Sequence, residues 1–389
     1  MGGKRTRGNG EGDVYARRNK EGKIIGYRGA YWVRTAKGRR RRYVSGKNKS
    51  ETRAALAKAK AERDSGLVFE AGTLTVGQYL SRWLSDSVMD TVRPTTYARY
   101  EQNVRRHIIP SLGGMKLKNL APSHIRALYR EKLDEGLSGR TVQYVHVTLH
   151  KALKQAAADG LTPRNAAANV TAPRPQKKEI HPLAPEQARL LLEAARGDRF
   201  EALYVLAVHC GLRQGELLAL KWQDVDLEAG MLQVRRTLSI TKDGPTFNPP
   251  KTAKGRRRIG LTTAAEAALK DHLRRQIAEV EALGDAYEDQ GLVFPGERGQ
   301  PMRPWSLTGG PYLRLLERAE LPKSTRFHDL RHTCATLLLC EGVHPKLVQE
   351  LLGHATIAIT LDTYSHVLPS LGDRATRAME EALSGPTDP

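Results

Sequence analysis

The chain has 389 residues but only three cysteines, and this scarcity excludes folds held together by sulfur. Cys210, Cys334 and Cys340 all lie in apolar segments. An odd count without a CxxC pair argues against a disulfide framework and against a zinc site built from cysteines. We therefore expect three reduced cysteines in the protein core.

The sequence also lacks long apolar runs. No stretch of about 18 consecutive apolar residues, the length needed to cross a membrane, is present. The first residues, MGGKRTRGNGEGD, do not contain the apolar run of a signal peptide. From these two absences we expect a cytoplasmic protein that does not interact with a membrane.

What the sequence has in excess is positive charge, with a formal net charge of +21. Residues 1–70 contain 20 Lys+Arg against 7 Asp+Glu, and residues 71–177 contain 16 against 7, whereas residues 178–389 contain 27 against 28. A basic chain attracts polyanions because binding releases their condensed counterions. A merely soluble surface needs far less charge, so the composition favours nucleic acid as the partner of the N-terminal half.

Sequence patterns divide the chain into four predicted regions and indicate a multidomain fold, mainly α with small β-sheets. Residues 1–70 alternate Tyr, Trp and Val with Arg, which predicts a three-stranded sheet followed by a helix, in a basic DNA-binding domain. Residues 71–170 have apolar residues at helical spacing and predict a helical bundle. Residues 171–185 form a proline-rich linker, and residues 186–389 predict a mostly helical domain with a small sheet.

Six arginines in the basic half are candidates for contact with DNA. They are Arg34, Arg40 and Arg42 in the predicted sheet and Arg99, Arg105 and Arg106 on the predicted helix that begins at Pro94. An ordinary solvated face is the alternative for the sheet, and the charge of this region favours DNA.

In the last region, polar residues interrupt apolar helices in a combination that suits a phosphodiester. The set comprises Arg213 in GLRQGE, Lys251 in PPKT, His328 and Arg331 in HDLRHT, His354 in LLGH and Tyr364 in LDTYSH. His328 and Arg331 are three residues apart and share one helical face. Arginine binds phosphate oxygens through two parallel hydrogen bonds, and a cationic cluster offsets the charge of a pentavalent transition state. Each residue alone would be unremarkable, so the prediction depends on the combination.

These motifs, in this order, resemble those of the tyrosine recombinases, the phage integrase family. The combination of HxLRHT, LGH and a following TxxxY is specific, and the resemblance covers roughly residues 180–380. It implies an α+β catalytic domain. The helical bundle is similar to the core-binding domain of that family, and the N-terminal sheet is similar to the arm-binding domain of its larger members.

The resemblance implies an enzyme, a site-specific DNA recombinase that integrates a mobile element or excises it. It implies that Tyr364 forms a 3′-phosphotyrosine, that Arg213, Arg331 and His354 bind the scissile phosphate, that His328 accepts or positions the phenol proton, and that Lys251 protonates the leaving 5′-oxygen. Glu216 would orient Arg213 or His328. No metal or cofactor is implied. The implied partners are double-stranded DNA with specific attachment sites, three further copies in a homotetramer that forms a Holliday junction, and accessory excision or DNA-bending proteins.

Two other functions share part of this pattern. A type IB topoisomerase uses the same chemistry, but the arm-like N-terminal domain argues against it. A sequence-specific DNA-binding protein without catalysis would not need the complete nucleophile set. Metal binding is an alternative for His328, His332, His354 and His366, since the first two are four residues apart. Neither an HExxH motif nor an acidic cluster accompanies them, so we expect His332 and His366 to serve in packing or secondary contacts.

Overall fold

The computed structural model of the chain describes residues 14–19, 21–35, 38–64, 73–175, 180–242, 244–250 and 252–364, together with 376, 379, 380 and 383. Within these ranges the side chains at 34–35, 38–40, 62–64 and 253 are excepted. The chain divides into two compact units, residues 1–177 and 178–389. Both are mainly helical with small antiparallel sheets, which confirms the predicted fold class. The finer domain boundaries at 70, 170 and 185 stay predictions.

The first unit begins with a small sheet covered by one helix. Its elements are β1 (Val14–Arg18), β2 (Ile24–Thr35), β3 (Gly38–Gly46) and α1 (Lys49–Asp64), with antiparallel strands in the order β1-β2-β3. Successive side chains of a strand point to opposite faces, so Tyr31 and Val33 are buried while Trp32 is exposed. Leu56 and Ala59 of α1 close the buried face. The predicted three-stranded sheet and its helix are therefore confirmed.

A helical bundle follows in the same unit. Its helices are α2 (Val76–Trp83), α3 (Pro94–Gln102), α4 (Ile109–Leu112), α5 (Pro122–Asp134) and α6 (Gly139–Ala158). Pro94 and Pro122 stand in the first turns of α3 and α5, where a missing N–H costs nothing. The buried amide of Asn103 donates to the Tyr144 carbonyl and to the Thr148 hydroxyl, which ties the chain after α3 to α6. The predicted bundle is thus present.

The second unit combines helices with two small sheets. The helices are α7 (Pro185–Ala194), α8 (Glu201–His209), α9 (Gln214–Leu217), α10 (Thr263–Leu283), α11 (Pro304–Thr308), α12 (Pro311–Arg318), α13 (Phe327–Cys340), α14 (Pro345–Leu352) and α15 (Ile357–Tyr364). The strands are β4 (Val225–Asp226), β5 (Met231–Val234), β6 (Thr237–Thr241), β7 (Gly244–Asn248) and β8 (Arg257–Gly260). They form one sheet in the order β4-β5-β8 and one β6-β7 hairpin.

The core of this unit is organised around α8. Every residue from 202 to 208 is buried, because this helix is apolar on all sides. It packs against α10 and α13. The ring of Tyr204 lies beside the rings of Tyr312 and Phe327. This packing fixes the end of α8, which leads to Arg213, relative to α13, which carries His328 and Arg331.

A second, smaller core joins the last three helices. We call it the C-terminal core; its buried residues are Ala335, Leu339, Val348, Leu352 and Tyr364, from α13, α14 and α15. The tyrosine ring is therefore one of the packing elements that hold α15 on the rest of the unit.

Two expectations from the sequence concern the cysteines and the membrane. Cys210 and Cys334 are buried, as expected, but Cys340 is exposed because the last residue of α13 faces away from the core. In the described part of the chain, no helix has the length and apolar character needed to cross a membrane.

Candidate active site

A cavity of about 450 Å³ in the second unit collects most of the predicted site. Arg213, His328, Arg331 and His354 all line it. Glu216 also lines it, and so do Pro250 and Thr252. Those two residues flank Lys251, which lies outside the described residues. The sequence prediction that these polar residues belong to one site therefore agrees with where the described members lie.

Arg213 reaches the cavity through a tight turn after α8. Gly211 has a φ of +58°, and a Cβ built there would lie 2.7 Å from Cδ2 of Leu352, so the turn needs glycine. Arg213 then precedes α9. Its backbone N–H donates to Oε2 of Glu216 at 3.0 Å, and its Nη1 donates to Oε1 at 2.7 Å. The side chain stays 39% exposed, so it still presents donors to the cavity.

Glu216 is buried between two arginines. Its carboxylate accepts from Arg213 and from Nη2 of Arg257 at 2.9 Å. Burial alone would raise the pKa of this carboxyl, but the charge and hydrogen bonds of Arg257, and then the charge of Arg213, lower it to about 2. Arg257 also donates to the carbonyls of Leu351 and Gly255. This ionised carboxylate therefore fixes Arg213 from inside the protein. Of the two residues that the sequence analysis expects Glu216 to orient, Arg213 and His328, it is Arg213 that it contacts in the described structure.

Arg331 is almost completely buried, with 2% of its surface exposed, and its partners are neutral. Nη1 donates to the Gly211 carbonyl at 2.7 Å, and Nη2 donates to the Leu352 carbonyl at 2.6 Å. Both carbonyls follow or end a helix, where backbone oxygens lack helical partners and carry partial negative charge. Burial and then the charge of Arg213 lower the pKa of Arg331 to about 9, so the group is still cationic at neutral pH. Its positive charge is therefore held in place without being cancelled by a direct carboxylate partner.

The two histidines of the cavity are neutral at pH 7. Nδ1 of His354 lies 3.0 Å from Oγ1 of Thr360, a buried residue of α15. Burial, followed by the charges of Arg331 and Arg213, lowers the pKa of His354 to about 3. Desolvation and the same two arginines lower the pKa of His328 as well. Both rings can therefore act at neutral pH as hydrogen-bonding groups rather than as cations.

Tyr364 lies next to the cavity but is not among the described residues that line it. It is 1% exposed, and its ring is part of the C-terminal core. The hydroxyl lies 2.8 Å from Nδ1 of His332, whose ring centroid is 5.6 Å from that of the tyrosine. Burial raises the pKa of the phenol to about 12. The hydroxyl is thus protonated and already engaged.

Two residues at this site were missed by the sequence reasoning. The sequence reasoning does not single out Arg257, although it lies two residues before Ile259 in β8: both side chains are buried on one face of the strand, while Arg258 between them is exposed. For His332 the sequence predicts packing or secondary contacts, and it does not indicate that the contact is with Tyr364. Its spacing of four residues from His328 was the available signal, because it places both rings on one face of α13.

The predicted DNA-binding arginines lie in the first unit. The side chains of Arg34 and Arg40 fall outside the described residues, while Arg42, Arg99, Arg105 and Arg106 are exposed. Arg99 stacks on the Tyr144 ring at 4.8 Å, and Arg105 pairs with Glu101 at 3.0 Å. In the described ranges of the chain, no three His, Cys, Asp or Glu side chains are grouped so that they could share a metal ion.

Comparison with protein-family models gives two matches along the chain. The model of the phage integrase family matches residues 182–370, which include the whole cavity. The model described as the phage integrase N-terminal SAM-like domain matches residues 75–133, within the helical bundle.

Individual proteins with similar sequences and structures carry related names. A tyrosine recombinase XerC-like protein of Caldanaerobacter subterraneus subsp. tengcongensis is 32% identical over 88% of this chain and 92% of its own length. An integrase of Saccharopolyspora erythraea is 29% identical over 85% of this chain and 88% of its own. The Tn1549 transposon integrase in complex with transposon right end DNA has a TM-score of 0.67 at 24% identity, covering 79% of this chain and 99% of that one. A lambda integrase tetramer bound to a Holliday junction has a TM-score of 0.55 at 20% identity, covering 89% and 94%.

Proposed function

The chain belongs to the tyrosine recombinase, or phage integrase, family, and from this premise we propose that Tyr364 carries out cutting and rejoining of DNA at specific sites. The observation that carries the proposal is the cavity lined by Arg213, Arg331, His328 and His354 beside the tyrosine. Two cationic groups and two neutral rings are what a scissile phosphate needs around its non-bridging oxygens.

Arg331 and Arg213 bind the scissile phosphate in this proposal. Arg331 uses two of its donors on helix-end carbonyls, and the guanidinium keeps further N–H groups for a ligand. Arg213 is held by Glu216, whose charge is shared with Arg257. The pair of arginines therefore retains net positive charge toward the cavity. Nδ1 of His354 lies 3.0 Å from the Thr360 hydroxyl. In the tautomer in which Nδ1 accepts from this hydroxyl, the proton is on Nε2 and is donated to a phosphate oxygen.

The proposed reaction is a phosphoryl transfer in which one bond to phosphorus forms as another breaks. The oxygen of Tyr364 forms a bond to phosphorus while the bond to the 5′-oxygen breaks, which gives a 3′-phosphotyrosine and a free 5′-hydroxyl. The phenol loses its proton to His328 or through it, and Lys251 supplies the proton of the 5′-hydroxyl. Rejoining reverses these steps with another 5′-hydroxyl, so no external energy source is needed.

The assembly that follows from this chemistry is a homotetramer on two DNA sites, with a Holliday junction between two rounds of strand exchange. The substrates are attachment sites of a mobile element in double-stranded DNA. Excision and DNA-bending proteins are the proposed accessory partners. The strongly basic first unit supports DNA binding outside the cavity, since the second unit has almost no net charge.

The direct test is covalent trapping on a DNA attachment site with a nick close to the scissile phosphate. The nick lets the short fragment that carries the free 5′-hydroxyl diffuse away, so that the strand cannot be rejoined. The wild-type protein should accumulate a covalent DNA adduct, and Tyr364→Phe should form none while binding the site with unchanged affinity. Tyr204→Phe is the matched control, because that buried hydroxyl lies in the core around α8. An adduct that persists in Tyr364→Phe would show that another residue is the nucleophile.

Two rival functions predict different results in the same experiments. A DNA-binding protein without catalysis would bind the site and form no adduct in the wild type. A type IB topoisomerase would relax supercoiled DNA that contains no attachment site, whereas a recombinase should act only when the site is present.

The N-terminal region is the subject of a separate proposal, namely that residues 1–70 bind accessory DNA sites through arginines such as Arg42. A protein without these residues should still cleave short core sites but should recombine full-length attachment sites poorly. Unchanged recombination of full-length sites would contradict this role.

A further inference from the structure

The hydroxyl of Tyr364 already has a hydrogen-bonding partner inside the protein. It lies 2.8 Å from Nδ1 of His332, in a position where the tyrosine is 1% exposed. His332 stands on α13 one turn after His328, and the two imidazole rings meet edge to face at a centroid distance of 4.9 Å. The cavity is lined by His328, whereas the tyrosine hydroxyl points to the histidine behind it.

The partner histidine is neutral under ordinary conditions. Burial and then the neighbouring His328 lower the pKa of His332 to about 4. Among the other charged groups near it, Asp329 favours the protonated ring, while Arg326 and Arg331 disfavour it. A neutral imidazole can accept the phenol hydrogen at Nδ1. The pair therefore satisfies two buried polar groups with one hydrogen bond and no charge.

We propose that His332 is a positioning residue that holds Tyr364 in a resting place within the C-terminal core, from which the hydroxyl must be released before it attacks phosphorus. This inference rests on the proposed function of Tyr364 as the nucleophile. The contacts that keep Tyr364 in this position are weak, because the C-terminal core is small and the hydrogen bond to His332 joins two neutral groups.

Removing the hydrogen-bond acceptor of Tyr364 should change the rate of attack in a predictable direction. A buried phenol left without a partner makes the resting place less favourable, while the exposed alternative loses nothing. Tyr364 then leaves the C-terminal core more readily and reacts faster with a bound phosphate. If His332 instead assisted the attack, its removal would slow the reaction, so the two roles have opposite signs.

The experiment is single-turnover adduct formation on the nicked attachment site with saturating protein. His332→Phe keeps a ring of similar shape without an acceptor, and His332→Asn offers a carbonyl oxygen where Nδ1 was. We expect His332→Phe to form the adduct about fivefold faster than the wild type, the factor that one ordinary hydrogen bond represents. We expect His332→Asn to stay within about twofold of the wild type. If the Phe variant does not melt cooperatively, His332→Leu replaces it.

Two results would overturn the proposal. A slower Phe variant with a preserved Asn variant would make His332 a participant in the attack, and equal rates in all three proteins would give it no role. A double-mutant cycle of His332→Phe and Tyr364→Phe on thermal unfolding tests the contact without catalysis, and we expect a coupling of about fivefold in the unfolding equilibrium. Additive effects would contradict the contact. By contrast, an adduct in Tyr364→Phe would overturn the nucleophile assignment itself, so the two failures are distinguishable.

Discussion

The cavity proposed to bind phosphate and the helix that carries Tyr364 are held in place by different kinds of contact. In the cavity, Arg331 donates to two backbone carbonyls, and Arg213 is fixed by the buried carboxylate of Glu216. The tyrosine depends on the C-terminal core and on one side-chain hydrogen bond to His332. The first set of contacts is charged and rigid, and the second is neutral and small.

This difference suggests which part of the reaction waits for DNA. Donors that are already oriented need no reorganisation when charge develops on a bound phosphate, so in our proposal the described part of the cavity is ready in the protein alone. The proposed nucleophile, Tyr364, is not ready, because burial raises its pKa to about 12 and its hydroxyl is hydrogen-bonded to His332. We infer that delivery of the tyrosine, rather than recognition of the phosphate, is the step most open to control.

The largest effect on the cleavage rate should come from Arg331→Lys, which changes the buried arginine of the cavity. A lysine ammonium cannot bridge the carbonyls of Gly211 and Leu352 and also face the phosphate with parallel donors. We expect adduct formation to fall by about 10² to 10³, as for the loss of one transition-state donor. The measurement is the single-turnover cleavage rate at saturating protein.

The control for this variant is Arg318→Lys, which changes an arginine of α12 that pairs with Asp198 and does not line the cavity. It should leave the cleavage rate within about twofold, since solvent-exposed ion pairs contribute little. A loss below tenfold in Arg331→Lys would mean that a point charge suffices and that the cavity is less demanding than its geometry indicates.

A smaller but still large effect, on the stability of the protein, should follow from Glu216→Gln, which removes the negative charge between two arginines. The pKa of this carboxyl falls from 4.5 to about 2 on folding, which corresponds to roughly 3 kcal/mol of stability at neutral pH. Because the folded-state pKa is the lower one, this stability is present above pH 4.5 and is lost as the pH falls toward 2. Glu216→Gln should therefore be less stable than the wild type at pH 7, and the difference should shrink below pH 4.5.

Thermal melting of both proteins between pH 7 and pH 3 measures this difference. Glu193→Gln serves as the control, because its partner Arg196 and the glutamate are both well exposed and such pairs contribute at most about 1 kcal/mol. A gap between wild type and Glu216→Gln that stays constant with pH would contradict the assigned ionisation of Glu216.

Much of the fold could be predicted because local pattern and packing agree. The alternation around Trp32 gave the N-terminal sheet, Pro94 marked the start of α3, and the apolar run of α8 indicated a buried helix. The limits appear where long-range contacts decide. Apolar residues alternate through residues 231–241, which would suit one long strand. In the structure this segment forms two strands, β5 and β6, that belong to different sheets. The break lies next to Arg236, which donates to Asp224.

The site could be predicted in part for the same reason. Arg213, His328 and His354 are set near helix ends by glycines and by short motifs, so their sequence spacing carries information about their position. Arg257 and His332 were missed because their roles depend on tertiary partners: Arg257 meets Glu216 across 41 residues, and His332 meets Tyr364 across 32. The local spacings of Arg257 and His332 indicate which face of β8 or α13 they occupy, but not these long-range partners.

The smallest effect tests a hydrogen bond through which the tyrosine helix supports the cavity. Thr360 of α15 is fully buried, and its hydroxyl lies 3.0 Å from Nδ1 of His354. Thr360→Val keeps the shape of the side chain and removes the hydroxyl, so His354 loses its orientation but not its place. We expect the cleavage rate to fall by about fivefold with unchanged DNA affinity. Thr363→Val is the control, since that hydroxyl donates within α15, to the Ile359 carbonyl. A loss of 10² or more in Thr360→Val would mean that the tyrosine helix is as rigid a part of the phosphate site as Arg331, and the contrast between the two regions would disappear.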